Sequence, residues 1–195
     1  RRHTQDLLPS VQAMLDLTQL EVSALTALAV TTGPGSFTGV RIGISTVKGV
    51  ALGASQPLAV IGVPTLSVTA APWLALAASR SVAVWAVIQA GRGQYNWVEF
   101  KGADLLRRPA AHEHNNGKAT DLLGALSGSA EQIWLVGEIE AELQAGAHEL
   151  PHVQVVDNVS GLRRAGQLAR LAERHFAAGA GDDIATLQPL YLRAP

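Results

Sequence analysis

The stretch from Thr32 to Gly43, TGPGSFTGVRIG, constrains the fold of this chain more than any other feature. An apolar run, residues 27–32, leads into the turn Gly33-Pro34-Gly35, and a helical pattern begins directly after it. Glycine tolerates the backbone angles of such a turn, and Ser36 or Thr38 is able to cap the helix that follows. Strands alternate with helices along the rest of the chain too, which indicates a layered α/β fold.

The glycines of this turn complete neither of the common phosphate-binding motifs. No Gly-Lys-Ser or Gly-Lys-Thr closes the loop, as a phosphate-binding loop requires. Gly33, Gly35 and Gly39 are spaced one residue too widely for the dinucleotide fingerprint, and no acid follows about 20 residues later. Free N–H groups at the helix start can bind an anion, but taken alone the loop is interpreted as a structural turn. We therefore predict no cofactor.

The chain is expected to form two lobes, residues 1–78 and 79–195, with the tail 184–195 returning to the first lobe. Pro9 should delay or bend the first helix, and the polar residues 107–118 should form a mobile loop. Strands are predicted at residues 27–32, 58–63, 82–88, 95–100, 133–136 and 153–156. Helices are predicted at residues 4–17, 70–78, 120–126, 138–144 and 162–176. A long helix that ends near residue 53 and a short helix after residue 64 complete the prediction.

Composition excludes several classes of protein. The chain has 15 Lys and Arg against 16 Asp and Glu, and a net charge of −1 is not the footprint of a protein that holds nucleic acid alone. Because it has no cysteine, it has no disulfide, zinc finger or cysteine nucleophile. Its longest apolar run, residues 82–88, is far shorter than the roughly 20 residues of a membrane span. We expect a soluble, cytoplasmic protein, and we expect further natural residues before Arg1 because the only methionine is Met14.

A stripe of small residues runs along the helix after the turn, at spacings of three and four. Each glycine in a helix interior costs roughly 0.8–1 kcal/mol relative to alanine, so three on one face need an explanation. Small residues allow a second helix to approach closely. That helix belongs either to a partner protein or to the same domain, since both obey the same packing geometry. The predicted partner-binding residues are Gly39, Gly43, Thr46, Val50 and Gly53.

Two histidine motifs resemble metal sites, and we interpret both as structural. The segment His148-Glu149-Leu150-Pro151-His152 matches the H-E-x-x-H pattern, which requires both imidazoles on one continuous helix. Pro151 destabilises such a helix by about 3 kcal/mol. His112 and His114 belong to the polar segment, where histidines are usually solvated. We predict no metal site and no catalytic residue.

Thr32–Gly43 and several other segments resemble the TsaB family, also called YeaZ. Members share the pattern GPGSFTG(L/V)RIG, then an alanine- and glycine-rich helix as at Lys48–Gly53, then a strand as at Pro57–Val63. The opening Arg2–Pro9 resembles the first helix of the family, and Pro189–Arg193 resembles its C-terminal ending. The resemblance spans essentially the whole chain, although it is sparse in the middle.

This resemblance implies a two-lobed fold of the actin-like, sugar-kinase and heat-shock ATPase type, with each lobe RNase H-like. Members begin with strands that are absent before Arg1, so the first lobe is expected to lack its N-terminal strands. The implied role is in forming threonylcarbamoyladenosine next to the anticodon of tRNAs that read codons starting with A. In that reaction TsaB is the non-catalytic partner of its paralogue TsaD.

Two departures bear on catalysis. TsaD-like proteins carry two metal-binding histidines after the strand that follows the long helix. Thr65 and Thr69 stand at those positions here, and threonine is a poor ligand without supporting imidazoles. Family members also often carry acids in the next hairpin, where this chain has Gln89 and Gln94. We therefore assign no nucleotide site.

Taken together, the resemblance implies an accessory subunit and not an enzyme. Its expected partners are TsaD in a heterodimer, TsaE, and a second copy of the chain in isolation, with tRNA bound only through the complex and no membrane contact. Two alternatives remain open. One is a stand-alone metallopeptidase, or glycoprotease, at His148 and His152. The other is a nucleotide hydrolase at the Gly33–Gly39 loop.

Overall fold

The computed structural model describes residues 3–157, 159 and 161–192 of the chain. These residues form two β-sheets, one of two strands and one of five, each with helices on both of its faces. The α/β prediction is confirmed. Arg1, Arg2 and residues 193–195 lie outside the described part of the chain, and the family resemblance at the two ends of the sequence includes Arg2 and Arg193.

The first sheet pairs two parallel strands, β1 (Ala27–Gly33) and β2 (Ala59–Pro64). They are connected by the long helix α2 (Phe37–Gly53), which packs on one face of the sheet. The helix α1 (His3–Thr18) precedes β1 and packs loosely, because Leu15 is the one buried residue among its described side chains. The predicted unit of a strand, the turn at Gly33, a helix and a second strand is present as β1, α2 and β2.

The second sheet has five strands, β3 (Ala83–Gly91), β4 (Gln94–Phe100), β5 (Asn115–Lys118), β6 (Ile133–Gly137) and β7 (Val153–Val155). Their order across the sheet is β5-β4-β3-β6-β7. Antiparallel pairing joins the first three strands of this order, and the last two run parallel to the central strand. The helices α4 (Ala119–Ser127) and α5 (Ala141–His148) cover one face of this sheet.

Two further helices complete the layers. The helix α3 (Thr65–Ser79) packs on the other face of the second sheet and also contacts the first sheet. Beside it, α6 (Ala165–Ala177) packs against Ile61 and Val63 of β2, whereas α2 packs against Val60. Because successive side chains on a strand point to opposite faces, α2 and α6 lie on opposite sides of the first sheet. No helix in the described part of the chain combines the length and apolarity that a bilayer crossing requires.

After α6 the chain runs back along the first sheet. The backbone N–H of Asp182 donates to the carbonyl of Val60 at 2.7 Å, and that of Leu190 donates to Thr32 at 2.8 Å. Leu187 is buried in the same small core as Val60. The division of the chain after residue 78 stays a prediction.

Two helices continue through a proline. Pro9 lies inside α1, which begins at His3, so the expected late start of this helix is wrong. Pro72 lies inside α3, which is one continuous helix where the sequence predicted two. Both prolines are exposed, so each ring avoids the core, and water can reach that side of the helix. In α3 the burial of residues on both sides of Pro72, including Ala70 and Leu74, stabilises the helix across the proline.

The segment 107–118, expected to be a mobile loop, contains a short 3-10 helix, Ala111–Glu113, and ends in a strand of the second sheet. It contains β5, which pairs with the edge of β4. The Nδ2 of Asn116 donates to Oδ1 of Asn96 at 2.8 Å, and Arg107 pairs with Glu113 at 2.8 Å. The expectation failed because a polar edge strand has no apolar alternation, and its partner strand is distant in sequence.

The helix α5 begins three residues later than predicted. The N–H of Glu138 donates to the carbonyl of Val87 at 3.0 Å, so it continues the sheet and does not begin a helix. One carboxylate oxygen of Glu138 accepts from the N–H of Gln89 at 2.9 Å, and the other pairs with Arg163 at 2.7 Å. These contacts hold Glu138 at the end of β6.

Candidate functional site

The turn between β1 and α2 is built as the sequence predicts. Gly33 has a φ of +111°, which favours glycine, and the Gly33–Pro34 bond is cis. Ser36 is the N-cap of α2, and its hydroxyl oxygen accepts from the N–H of Gly39 at 3.3 Å. The turn is anchored from outside by the contact of Leu190 with Thr32.

A cleft of about 580 Å³ separates this turn from the edge formed by β4 and β5. Arg41 is the one charged residue among the described residues that line it. Its guanidinium lies 3.8 Å from the centroid of the Phe37 ring, and its Nη2 donates to the hydroxyl of Tyr191 at 2.9 Å. On the opposite wall, Asn96 is buried and bonded to Asn116.

The side chains that line this cleft are mainly amides and apolar groups. Its described lining includes Gln94 but no carboxylate and no imidazole. A carboxylate is the usual protein ligand of the magnesium ion that accompanies a nucleotide, and a carboxylate or imidazole is the usual general base. The arrangement therefore suits binding better than catalysis.

A second depression, of about 690 Å³, lies between α1 and α2, and we call it the α1–α2 groove. Large apolar side chains surround it and remain accessible to solvent. Leu8 is 56% exposed and Phe37 63%. The groove is lined by Leu8, Phe37, Thr38, Arg41, Ile42, Ser45, Thr46, Gly49 and Val50.

The predicted stripe of small residues divides between the interior and this groove. A Cβ on Gly43 would lie 3.3 Å from Cγ2 of Val30, so this glycine lets α2 approach β1 within the chain. Gly39 is next to its own N-cap, Ser36. Thr46 and Val50 line the groove, and Gly53 has open space around it. Their role in partner binding stays a prediction.

Sequence reasoning missed the contribution of α1 to the groove. The sequence predicts a helix over residues 4–17 with apolar residues at helical spacing, but it does not predict which of them stay exposed. Leu8 lines the groove, and Leu15 is the one buried residue among the described side chains of α1. Gly49 was missed as well, although it is exposed on α2 with no atom near its absent side chain. A helical apolar pattern shows that a face is apolar, and it does not show whether the chain itself covers that face.

The H-E-x-x-H motif does not form one helix. His148 is the last residue of α5 and is exposed, whereas His152 follows a turn and its Nε2 lies 3.0 Å from the carbonyl oxygen of Leu126. His114 contacts the carbonyl of Ala110 through Nδ1 at 2.9 Å, and burial lowers its pKa. Among the described residues no group of three or more potential ligand side chains is arranged to hold a metal ion.

Thr65 and Thr69 are packed inside α3. Both are buried, and the hydroxyl of Thr69 donates to the carbonyl of Thr65 at 3.0 Å. This contact satisfies a buried hydroxyl within the helix, as is usual for threonine. The positions that the family resemblance links to metal binding therefore serve the packing of α3 between the two sheets.

A buried histidine on α6 lies near the ion pair that fastens the tail. His175 is 3% exposed; its pKa is lowered by burial and further by the nearby Arg108. Arg108 contacts both carboxylate oxygens of Asp182, at 2.9 and 3.1 Å, and Asp182 also accepts from the N–H of Gly62 at 2.7 Å. The cluster joins the segment after β4 to the first sheet, which is a structural task.

Known proteins share this architecture. A crystal structure described as an uncharacterized protein with similarity to peptidase YEAZ from Pseudomonas aeruginosa matches 97% of this chain and 83% of its own, with a TM-score of 0.74 and 27% identity. A structure described as YeaZ from Pseudomonas aeruginosa covers 98% of this chain and 85% of its own, with a TM-score of 0.67 and 26% identity. These neighbours confirm the predicted fold class.

Several curated relatives are named TsaB, and another is a tRNA N6-adenosine threonylcarbamoyltransferase of Erythrobacter litoralis. The tRNA threonylcarbamoyladenosine biosynthesis protein TsaB of Escherichia coli is 45% identical over 102 residues, which are 52% of this chain and 42% of that protein. The TsaB protein of Haemophilus influenzae is 37% identical over 90 residues, which are 46% of this chain and 36% of that protein. The chain thus spans less than half the length of the curated relatives it matches.

A family model gives the widest match in sequence. It is described as "TsaD: tRNA N6-adenosine threonylcarbamoyltransferase" and covers residues 1–185. The predicted resemblance is confirmed, since several curated relatives are TsaB proteins and the structural neighbours are YeaZ proteins. The chain belongs to the TsaD family, and within it to the TsaB, or YeaZ, group.

Proposed function

We propose that this chain is the non-catalytic partner of a TsaD-type threonylcarbamoyltransferase in a cytoplasmic complex. The complex forms threonylcarbamoyladenosine next to the anticodon of tRNAs that read codons starting with A. The observation that carries this proposal is the exposed α1–α2 groove with its apolar rim. The names of the curated relatives and of the family model supply the reaction class.

The groove has the properties of a protein interface. Large contiguous apolar patches are uncommon on monomeric proteins and mark interaction sites. Two adjacent helices contribute to this one, and Gly49 offers a flat strip on which another helix can lie. The same two helices carry further exposed apolar residues outside the groove, namely Val11, Met14, Leu17 and Leu52.

The interior of the chain supports a non-catalytic role. Thr65 and Thr69 are used in packing, and the cleft beside the Gly33 turn is lined by amides and one stacked arginine. A subunit with this arrangement contributes surface to a complex, and its paralogue supplies the acid–base and metal chemistry. The H-E-x-x-H segment gives the metallopeptidase alternative no support, because its imidazoles lie on different elements.

The same groove accounts for the other expected partners. In the absence of the TsaD-type enzyme, a second copy of the chain covers the apolar surface and gives a homodimer. TsaE joins the assembled complex, and tRNA is bound by the complex as a whole. A groove that accepts both a paralogue and a second copy requires only that the two present similar helices.

Gly49→Arg tests the interface. An exposed helical glycine with open space around it accepts arginine without harm to the fold, and glycine itself costs roughly 0.8–1 kcal/mol. We expect the variant to remain folded and to lose co-purification with the TsaD-type enzyme, because a long charged side chain fills the groove. Gly43→Arg is a poorer test because this position contacts Val30.

Gly124→Arg is the matched control. Gly124 is also an exposed helical glycine with no atom near its absent side chain, but it lies on α4 in the second sheet's outer layer. Co-purification and threonylcarbamoyladenosine formation are measured for both variants. Equal association of Gly49→Arg and Gly124→Arg with the enzyme would refute the proposed interface.

A further inference from the structure

The helix α6 and its N-cap carry arginines whose side chains have no partner. In the described part of the chain, Arg164, Arg170 and Arg174 are exposed and make no side-chain hydrogen bond or ion pair. Arg92, at the tip of the hairpin between β3 and β4, is the other described arginine of this kind. The remaining described arginines contact Tyr191, Trp134, Glu113, Asp182 and Glu138.

Folding gives no reason for this cluster. The helix packs through Leu171, Ala172 and His175. At 100° per residue Arg170 and Arg174 lie away from that face, whereas Arg164 is exposed at the N-cap, before the first turn. Two like charges four residues apart, as at Arg170 and Arg174, destabilise a helix by about 0.2–0.5 kcal/mol. A cation at the N-cap, as at Arg164, also opposes the helix dipole. The segment 162–177 holds four arginines and one glutamate in a chain whose net charge is −1.

We propose that the free arginines of α6 bind the phosphate backbone of tRNA. They are Arg170 and Arg174 on its exposed side and Arg164 at its N-cap, and we call them together the arginine face. The proposal rests on the proposed function, which makes tRNA the substrate of the complex. A guanidinium group presents a planar fork of donors that matches a phosphate and holds its charge at any physiological pH. Residues four apart on a helix are separated by about 6 Å along its axis, so Arg170 and Arg174 can contact neighbouring phosphates.

The position of the arginine face is compatible with partner binding. The helix α6 packs on the side of the first sheet opposite to α2, and the α1–α2 groove lies on the α2 side. The RNA and the protein partner therefore do not compete for the same surface. Binding of the RNA and binding of the protein partner can therefore be abolished separately, and experiments can distinguish the two proposals.

The size of the face predicts a contribution to binding within the complex. The salt dependence of binding scales with the number of phosphates neutralised, and proteins with about 6–10 phosphate contacts lose roughly 10³- to 10⁵-fold in affinity between 50 and 200 mM salt. This face has three arginines and so makes fewer contacts. It therefore adds to contacts made by the TsaD-type enzyme. This agrees with the expectation, from the near-neutral charge, that the chain does not hold tRNA alone.

The double substitution Arg170→Ala with Arg174→Ala tests the proposal. The probe is an unmodified transcript of a tRNA that reads a codon starting with A, and its affinity is measured between 50 and 200 mM salt. Measurements are made on the whole chain alone and mixed with the TsaD-type enzyme. We expect affinity to fall about 3- to 30-fold, and the slope of log K against log salt to decrease by about 2, one for each lost phosphate contact.

Arg92→Ala is the matched control, since Arg92 is exposed and unpaired but lies on the second sheet's hairpin. An unchanged salt slope in the double variant would overturn the proposal, as would an equal loss in the control. If the double variant no longer binds the TsaD-type enzyme but still binds tRNA, the proposal is also wrong. The arginines of α6 would then bind an acidic surface of the protein partner. If Gly49→Arg keeps the enzyme bound while the α6 variant loses tRNA, the proposed interface fails and the RNA site stands.

Discussion

Gly62 is the position at which the structure predicts the clearest effect of adding one methyl group. It is buried in β2, between the turn residue Thr32 and the returning tail. A Cβ at this position would lie 2.4 Å from Cγ2 of Thr32 and 2.7 Å from Cδ1 of Leu187, whereas ordinary contacts begin at 3.4 Å. Gly62→Ala therefore forces both of these side chains to move.

The size of the effect follows from the two side chains that must move. Displacing one side chain from its preferred rotamer costs of order 0.5–1.5 kcal/mol, so two displacements cost about 1–3 kcal/mol, the usual range for overpacking. Replacing glycine also restricts the unfolded chain, which returns about 0.4–1 kcal/mol. With the middle value of each range, the free energy of unfolding should fall by about 1.3 kcal/mol.

Urea unfolding of the whole chain measures this loss. With an m-value of about 2 kcal/mol/M, the midpoint should fall by about 0.5–1 M at constant m. Gly181→Ala is the control: its Cβ would lie 3.7 Å from the carbonyl oxygen of Val60, which is an ordinary contact. That variant should be as stable as the parent or more so. Equal midpoints for the two variants would show that Thr32 and Leu187 give way freely, and the reasoning would be wrong.

Two further predictions use the same assay. Gly137→Ala should lower the free energy of unfolding more than Gly62→Ala does. Gly137 has a φ of +119°, and its Cβ would lie 2.1 Å from the backbone oxygen of Val87, which cannot rotate away. A urea midpoint equal to that of the parent would contradict this prediction. Burial lowers the pKa of His175 below its ordinary 6.5, so the unfolded state binds more protons and the free energy of unfolding should fall as the pH drops below about 6.5. His175→Gln should flatten this dependence between pH 7 and 5, whereas the exposed His112→Gln should not, and equal slopes would refute the assignment.

The elements that could be predicted are those whose sequence shows both a regular spacing of apolar residues and a residue that ends or starts the element, such as a turn glycine or an N-cap. The glycine turn at Gly33 and the N-cap Ser36 fix where β1 ends and α2 begins, and both are present as predicted. The hairpin between β3 and β4 follows from two apolar runs around Gly91-Arg92-Gly93. These signals are local, because turn geometry and capping depend on residues within a few positions of one another.

The candidate site could be predicted only in part. The small-residue stripe identified α2 as a helix for close approach, but it did not distinguish Gly43, which faces Val30, from Gly53, which faces open space. The first helix was recognised from its apolar positions, and its exposure was not. The arginines of α6 carried no signal in the sequence, because a paired and an unpaired arginine look alike until their neighbours are known.

The sequence by itself determined the order of strands and helices, the turn at Gly33 and the family to which the chain belongs. Only the tertiary structure decided that β5 extends the second sheet, that α3 continues through Pro72, and which faces of α1 and α2 stay uncovered. The physical reason is that periodicity and capping are properties of neighbouring residues. Burial depends instead on groups brought together from distant parts of the chain, as Leu187 is brought to Gly62.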